Sequence, residues 1–480
     1  MTDFGLLSAV TASPEVEALT GDRAVLTALL DVESTWSTVL EDAGLVPAGA
    51  ADAVAEAADP DLYDPASLAR QAQGGGNPVI PLVAALKAQV RGIDAAAVKA
   101  VHASLTSQDV QDSALMLLAA RVRAELLREL SRTTTALARL SEEHADTLCV
   151  GRSLGQHALP YTFGLKAAQW LQGLTSAGRR LGEATLPAQF GGAVGTLASA
   201  TLLTAGSSAT PFALAQDHAA RLGLATAHVP WHGDRQPVTV LGDALAGVLD
   251  AAGKIAGDVL FLTRPEVAEL GEPTGAGRGV SSAMPQKQNP VLSVLLRSAA
   301  LQGPTFASQL HLAAGLFNDE RADGAWHSEW PALRSLLGLS LGAVLTLREM
   351  IEGLRVFPDA MRRNLDLTGP LLLSEKVKAA VGPLLGDAGQ EALQAVVDAA
   401  LRESPERRAE AYARELRAAV PAEALSDDAL AQLLDPAGYV GEAEEIRRRI
   451  LGSLPDTVGS QDTLDAQDAP NSLDEGATRD

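Results

Sequence analysis

The sequence predicts an all-α protein built around a bundle of long helices. Alanine and leucine dominate an apolar fraction of 47%, while aromatic residues contribute only 4%, which favours helix over strand. Residues 109–144 contain neither Gly nor Pro, and long helices also fit 161–182, 238–263 and 290–316. No alternating apolar and polar runs bounded by turns indicate a sheet. Because these helices exceed the usual length of about 11–12 residues, we expect an extended bundle.

Helix length varies along the chain and predicts several domains. A chain of 480 residues is too long for one small core. Helices of ordinary length fit the beginning, long helices fit the middle, the last of them bent at Pro331, and shorter, more charged helices follow Pro358. The final segment is acidic and has hardly any bulky side chains, so we expect it to be disordered. We predict an N-terminal helical domain at 1–100, followed by a central long-helix bundle with the functional motifs at 101–352. A C-terminal helical domain at 353–452 and an acidic tail at 453–480 complete the predicted division.

Charge and cysteine content exclude several classes of protein. The 60 acidic residues outnumber the 38 basic ones, for a net charge of −22, and no basic stripe is present, so we expect no nucleic-acid partner. A small anionic substrate stays open, because charges beyond roughly 8 Å are largely screened at physiological salt. The single cysteine, Cys149, cannot form an intrachain disulfide and is typical of a reducing compartment.

The uncharged run at residues 184–216 raises the alternative of a membrane span. It is rich in Gly, Ala, Ser and Thr and is interrupted by Pro211, so its hydrophobicity is weak. The first residues lack the basic and apolar regions of a secretory signal. We therefore expect a soluble, cytoplasmic protein that does not contact a membrane.

The first of three polar motifs lies at the start of the longest predicted helix. It consists of Thr106, Ser107, Gln108 and Asp109, followed by Asp112. Short hydroxyl and amide side chains at a helix N-terminus are good donors to a carboxylate. The alternative is simple capping, in which Thr106 or Ser107 caps the helix and Asp109 complements its dipole.

The second motif lies at residues 151–160. Arg152, Ser153, Gln156 and His157 cluster there before a predicted helix, as an anion cradle would require. The alternative is a polar loop between two helices.

The third motif, which we call the serine loop, comprises residues 277–289 and leads into an apolar helix. It carries two hydroxyls, a cation and an amide: Ser281, Ser282, Lys287 and Asn289. Asn is a preferred N-cap and Pro a preferred first helical residue, so Asn289 and Pro290 predict the helix start and place the loop at the positive end of the dipole. A hydroxyl beside a lysine suits proton transfer at carbon, and the cation and amide suit the negative charge that accumulates. The alternative is a surface loop with a well-formed cap.

In order and spacing, the three motifs resemble those of the fumarase/aspartase superfamily over roughly residues 20–450, and the serine loop resembles its SSxMPxKxNP signature. The resemblance implies an all-helical, three-domain subunit. It also implies a homotetramer in which each active site takes one motif from each of three subunits. The implied chemistry acts on a small polycarboxylate, at a carbon next to a carboxylate, through an aci-carboxylate intermediate and without a metal or organic cofactor.

The same resemblance assigns roles to individual residues, with Ser281 as the proton-transferring group. The expected substrate-binding residues are Thr106, Ser107, Gln108, Arg152, Gln156, His232, Arg235, Ser282, Lys287 and Asn289. His232, Arg235 and Arg321 are candidates for additional substrate carboxylates, and a structural ion pair is the alternative for each.

Further strings resemble the bacterial 3-carboxy-cis,cis-muconate cycloisomerases of this superfamily, at residues 76–83, 189–197, 230–235 and 325–330. That resemblance implies closure of 3-carboxy-cis,cis-muconate to 4-carboxymuconolactone, a step of the protocatechuate branch of the β-ketoadipate pathway. Leu154 replaces the His that lyases of adenylosuccinate or argininosuccinate carry in the second motif, which agrees with the cycloisomerase branch. Leu105 replaces the usual Ala before the first motif and could narrow the pocket.

Two other functions stay open. One is a different superfamily lyase, such as an adenylosuccinate lyase that releases fumarate by β-elimination, and Leu154 counts against it. The other is a catalytically silent helical structural protein. The presence of Ser281, Lys287 and Asn289 together argues against that alternative, because packing needs none of them.

Overall fold

A computed structural model describes residues 6–275, 277–281, 283–284 and 286–453. The α-helices of this part of the chain are α1 (Pro14–Thr20), α2 (Asp22–Asp42), α3 (Ala50–Ala57), α4 (Pro65–Gly75), α5 (Val79–Ile93), α6 (Ser107–Glu143), α7 (Phe163–Glu183), α8 (Ala198–Leu203), α9 (Pro211–Arg221), α10 (Gln236–Leu262), α11 (Val291–Gly315), α12 (Ala325–Glu352), α13 (Pro358–Thr368), α14 (Ser374–Leu385), α15 (Gly389–Leu401), α16 (Pro405–Ala419), α17 (Asp427–Leu433) and α18 (Ala443–Gly452).

The strands of the described residues form two small antiparallel pairs, and an isolated parallel bridge joins Pro187 and Ala225. Strands β1 (Leu148–Ser153) and β2 (Gln156–Thr162) form a hairpin, and β3 (Leu270–Gly271) pairs with β4 (Arg355–Val356). The all-α prediction is confirmed. The five long predicted helices correspond to α6, α7, α10, α11 and α12, with ends within a few residues of those expected.

The chain divides into two compact units, and the boundary falls inside α6 and α7. The first unit takes its described residues from 1–133 and 176–356, and the second takes them from 134–175 and 357–480. The division at residues 100 and 352 stays a prediction. The predicted disordered tail after Ser453 lies outside the described residues.

The first unit is organised around α10, α11 and α12, which pack side by side. Glycine allows α10 and α11 to approach closely, since a Cβ atom at Gly242 would lie only 2.6 Å from Leu310 Cδ1. Helix α12 is also apolar, and its inner face, including Leu333, Leu337 and Val344, is buried. By length and composition α12 could cross a membrane, but 67% of its most apolar window is buried within the protein, as in the core helix of a soluble protein.

The second unit has its own apolar core between short helices. Val377 and Val381 of α14 pack in one buried cluster with Tyr412 and Leu416 of α16. The β1–β2 hairpin belongs to this unit, and its Val150 packs against Leu365 and Leu372. The second motif therefore precedes a helix as predicted, but it lies on a hairpin, and the alternative of a polar loop between two helices is wrong.

Candidate active site

A buried carboxylate, Asp109, holds the start of α6 in place. Its Oδ2 atom accepts hydrogen bonds from the backbone N–H groups of Thr106 and Gly192, both at 3.0 Å. Its Oδ1 atom accepts from Gly191 N at 2.8 Å and lies 2.8 Å from His232 Nε2. Asp109 is fully buried, so these four partners replace the water that a carboxylate would otherwise bind. The first motif is thereby fixed to two other segments of the chain.

The glycine-rich string at 189–197 packs tightly around His232. A Cβ atom at Gly191 would lie 2.8 Å from His232 Cε1 and 2.9 Å from Pro230 Cβ, so only glycine fits there. Gly192 and Gly195 have φ values of +72° and +75°, in the left-handed region that favours glycine. The string therefore lets two consecutive backbone N–H groups reach Asp109.

A second buried carboxylate of α6, Asp112, forms an ion network with Arg235 and Glu329. Arg235 Nη1 and Nη2 donate to Asp112 at 2.8 and 3.1 Å, while its Nε and Nη2 donate to Glu329 at 3.1 and 2.7 Å. Trp326 Nε1 donates to Asp112 Oδ1 at 2.9 Å. The guanidinium also lies over the ring of Trp231, 4.7 Å from its centroid. These contacts tie α6, α10 and α12 together.

Burial and charge act in opposite directions on the groups of this network. Burial alone would lower the pKa of Arg235, but Asp112 and Glu329 outweigh it and hold the pKa above its usual range. Burial raises the pKa of Glu329, and the charge of Asp112 adds to that rise while Arg235 opposes it. The single guanidinium of Arg235 therefore balances the negative charges of both Asp112 and Glu329.

Three expected substrate ligands belong to this buried cluster. Gln108 is fully buried and donates to Asp112 Oδ2 at 3.3 Å and to the backbone oxygen of His232 at 3.1 Å. His232 and Arg235 are each only 3% exposed. From the sequence, Arg235 was a candidate substrate ligand, with a structural ion pair as the alternative. Its contacts with Asp112 and Glu329 correspond to the structural ion pair.

Arg321 lies at the outer edge of the cluster. It is half-buried, and its Nη2 donates to Thr106 Oγ1 at 2.6 Å and to the backbone oxygen of Ala193 at 3.1 Å. Thr106 and Ser107 are half-buried as well. A guanidinium thus lies against the hydroxyl that begins the first motif.

The serine loop is closed at its base by backbone contacts. Asn289 N donates to Gly279 O at 2.9 Å, and the Asn289 side chain donates to the same oxygen at 3.4 Å. Ser281 Oγ accepts from Met284 N at 3.1 Å and Lys287 is exposed. Ser282 lies outside the described residues.

The predicted N-cap of the following helix is wrong, although the helix starts within one residue of the predicted position. Helix α11 begins at Val291 after Pro290, and Asn289 does not cap it. The capping group is Glu272, whose carboxylate accepts from Leu292 N and Ser293 N at 3.0 and 2.7 Å. Sequence reasoning missed this residue because it lies 20 and 21 positions before the two N–H groups it binds. A substrate carboxylate would not find these two N–H groups free.

The second motif occupies the β1–β2 hairpin in the second unit. Arg152 pairs in register with His157, and Ser153 pairs with Gln156. Leu154 and Gly155 form the turn, and Leu154 is fully exposed. The two expected ligands of this motif, Arg152 and Gln156, therefore belong to a different unit from Thr106, Ser107 and the serine loop.

In the part of the chain that the structure describes, no group of three or more His, Cys, Asp or Glu side chains is arranged to hold a metal ion.

The chain is similar to known proteins over most of its length. The family model described as "Lyase" matches residues 11–303. A nitrosuccinate lyase of Streptomyces davaonensis is 44% identical, over 94% of this chain and 95% of that protein. A 3-carboxy-cis,cis-muconate cycloisomerase of Pseudomonas aeruginosa is 41% identical, over 93% of this chain and 95% of that protein.

Solved structures extend the likeness to the fold. The crystal structure of the 3-carboxy-cis,cis-muconate lactonizing enzyme from Pseudomonas putida superposes with a TM-score of 0.84 at 32% identity, covering 93% of this chain and 98% of that one. These similarities identify the chain as an enzyme of the lyase superfamily. The chain belongs to the lyase family of the fumarase/aspartase superfamily, as the sequence predicted.

Proposed function

We propose that the chain catalyses addition and elimination at a carbon next to a carboxylate, and that its substrate is 3-carboxy-cis,cis-muconate. The observation that most supports a carboxylate substrate is the 2.6 Å contact between Arg321 and Thr106. It adds a positive charge to a helix start whose dipole already favours an anion. A carboxylate at this position would meet the guanidinium and the hydroxyls of Thr106 and Ser107.

In the proposed reaction, a substrate carboxylate oxygen forms a bond to one carbon of a conjugated double bond. The displaced electron pair moves onto the adjoining carboxylate and gives the aci-carboxylate. Its α-carbon then takes one proton, for which we propose Ser281 as the donor. Lys287 and Asn289 are proposed to hold the accumulating negative charge, the electrostatic stabilisation that contributes most in many enzymes. The balance needs one proton and no oxidant or reductant.

We propose that Gln108, His232 and Arg235 act by positioning the first motif. Each is buried and bonded to Asp109 or Asp112, one turn inside α6 from Thr106 and Ser107. Rigid support of this kind keeps binding groups in the geometry that the reaction needs.

We also propose a cytoplasmic homotetramer in which the three motifs meet between subunits. The support is an apolar stripe on α11 at helical spacing, in which Val294, Leu301 and Leu312 are 53%, 71% and 56% exposed. Exposed apolar stripes on long helices are suited to burial against another copy. Sharing between subunits would unite the hairpin of the second unit with the other two motifs.

The proposal is tested by turnover of 3-carboxy-cis,cis-muconate without added metal or nucleotide, with Ser281→Ala as the control of strongly reduced activity. The conjugated diene is lost on lactonisation, so its ultraviolet absorbance should fall with the wild-type protein. Activity that a chelator abolishes, or activity on adenylosuccinate alone, would contradict the proposal.

The 44% identity with a nitrosuccinate lyase supports a second candidate. Elimination from nitrosuccinate would remove a proton from the carbon next to one carboxylate and break the bond to the nitro group, giving fumarate and nitrite. The same motifs would serve this reaction in the opposite direction. Nitrite release from nitrosuccinate, with no change in the muconate absorbance, would establish this candidate and exclude the first.

A further inference from the structure

Glu272 joins the segment before the serine loop to the start of α11 after it. It precedes the loop in sequence and is only 8% exposed. Its carboxylate accepts hydrogen bonds from Leu292 N at 3.0 Å, Ser293 N at 2.7 Å and Ser293 Oγ at 2.6 Å, all just after the loop. One side chain therefore connects the segment that precedes the serine loop to the first turn of α11, which follows it.

The backbone of Glu272 is itself held firmly. The preceding strand, β3, pairs with β4, and Arg355 Nε donates to the backbone oxygen of Glu272 at 3.0 Å. On the other side of Glu272, Pro273 packs so closely on Gly353 that a Cβ atom at Gly353 would lie 2.5 Å from Pro273 Cβ. The carboxylate thus links α11 to a rigid part of the first unit.

The electrostatic situation fits a structural link. A carboxylate at a helix N-terminus is stabilised by the helix dipole and by hydrogen bonds from the first N–H groups. With three donors bound, Glu272 is already committed as an acceptor. Inside the loop, the bond from Asn289 N to Gly279 O forms a second closure.

We propose that Glu272 is a positioning residue for catalysis, which fixes the base of the loop that carries Ser281, Lys287 and Asn289. This inference rests on the proposed function, in which those three residues act on the substrate. Displacement of reacting groups by about 1 Å costs as much as about 10²-fold in rate, so the effect should appear in kcat.

The experiment compares Glu272→Ala and Glu272→Gln with a matched pair at Glu41. Glu41 also caps a helix, since its carboxylate accepts from Gly49 N at 2.9 Å and Ala51 N at 2.6 Å at the start of α3. Loss of either cap should lower the melting temperature. Only the loss of Glu272 should lower kcat, by about 10²-fold for alanine and by less for glutamine, which keeps one acceptor oxygen.

Hydrogen exchange supplies a readout that does not depend on the substrate. In Glu272→Ala, the amides of Asn289, Leu292 and Ser293 should exchange faster than in the wild type, whereas the Glu41 variants should leave them unchanged. Unchanged exchange and kcat in Glu272→Ala, or an equal loss of kcat in Glu41→Ala, would overturn the inference. If the wild type turns over no muconate, the proposed function fails, while the exchange data still decide whether Glu272 holds the loop.

Discussion

Replacing Arg235 with methionine should destabilise the first unit strongly and remove activity. Arg235 is the shared partner of Asp112 and Glu329, and all three side chains are buried. Methionine fills much of the same volume but leaves two carboxylates without their counter-charge. Removing one partner of a buried ion pair costs about 3–5 kcal/mol, and two acceptors lose their partner here, so we expect the upper part of that range.

Arg221→Met is the matched control. Arg221 also pairs with two carboxylates, Asp42 at 2.6 Å and Asp217 at 3.0 Å, but its side chain is 37% exposed. Exposed pairs contribute about 0–1 kcal/mol, because water and salt screen them. The same chemical change should therefore have a much smaller effect.

The assay is urea unfolding at pH 7 and one protein concentration, followed by circular dichroism, with turnover measured in parallel. The double variant Arg235→Met/Glu329→Gln should recover part of the loss, because one of the two unpaired charges is removed. Asp112 would keep its bond from Trp326 Nε1. Equal destabilisation by Arg235→Met and Arg221→Met, or no recovery in the double variant, would refute the reasoning.

Two further predictions concern catalysis and acid stability. Ser281→Ala should lower turnover by about 10²-fold or more, measured by steady-state kinetics. Product binding, measured by calorimetry, should be largely kept. A far larger effect of Ser282→Ala would contradict the assignment of Ser281 as the proton donor. Burial lowers the pKa of His218 from 6.5 to about 4, although Nε2 bonds to Val32 O. Between pH 6.5 and pH 4 the folded protein therefore binds fewer protons than the unfolded one. The contribution of the neutral His218 side chain to the free energy of unfolding is present above pH 6.5 and is lost as pH falls, by about 3 kcal/mol near pH 4. The unfolding free energy of the wild type minus that of His218→Phe should therefore fall by about 3 kcal/mol between pH 7 and pH 4, and parallel pH curves would contradict this.

Helix length and the fold class could be predicted because they depend on local sequence. An unbroken run without Gly or Pro leaves helix as the favoured structure, and α6 follows such a run. The β1–β2 hairpin was not predicted, since its stability depends on packing of Val150 against Leu365 and Leu372, far away in sequence.

The site could be predicted only in part, for the same reason. The polar residues of the first motif were recognised, but which of them face inward depends on distant partners. Gln and Arg are residue types that often bind carboxylate ligands, so the sequence made Gln108 and Arg235 candidates. Only the folded structure shows that both donate hydrogen bonds to the buried Asp112. Asn289 has the ideal chemistry for an N-cap, yet Glu272 takes that place because β3 brings it to α11.

The central claim is that the three motifs form one active site shared between copies of the chain. It is tested most directly by complementation between Gln156→Ala and Ser281→Ala, which change the second motif and the serine loop. The two variants are dissociated, mixed equally and reassociated, and mixing is confirmed by mass. In a random tetramer each required motif is intact in half of the cases, so about a quarter of the sites should be native and activity should return to about a quarter of the wild type. If each site were formed within one chain, every site would carry one of the two substitutions and mixing would restore no native sites. Activity no greater than the sum of the separate variants would contradict the claim.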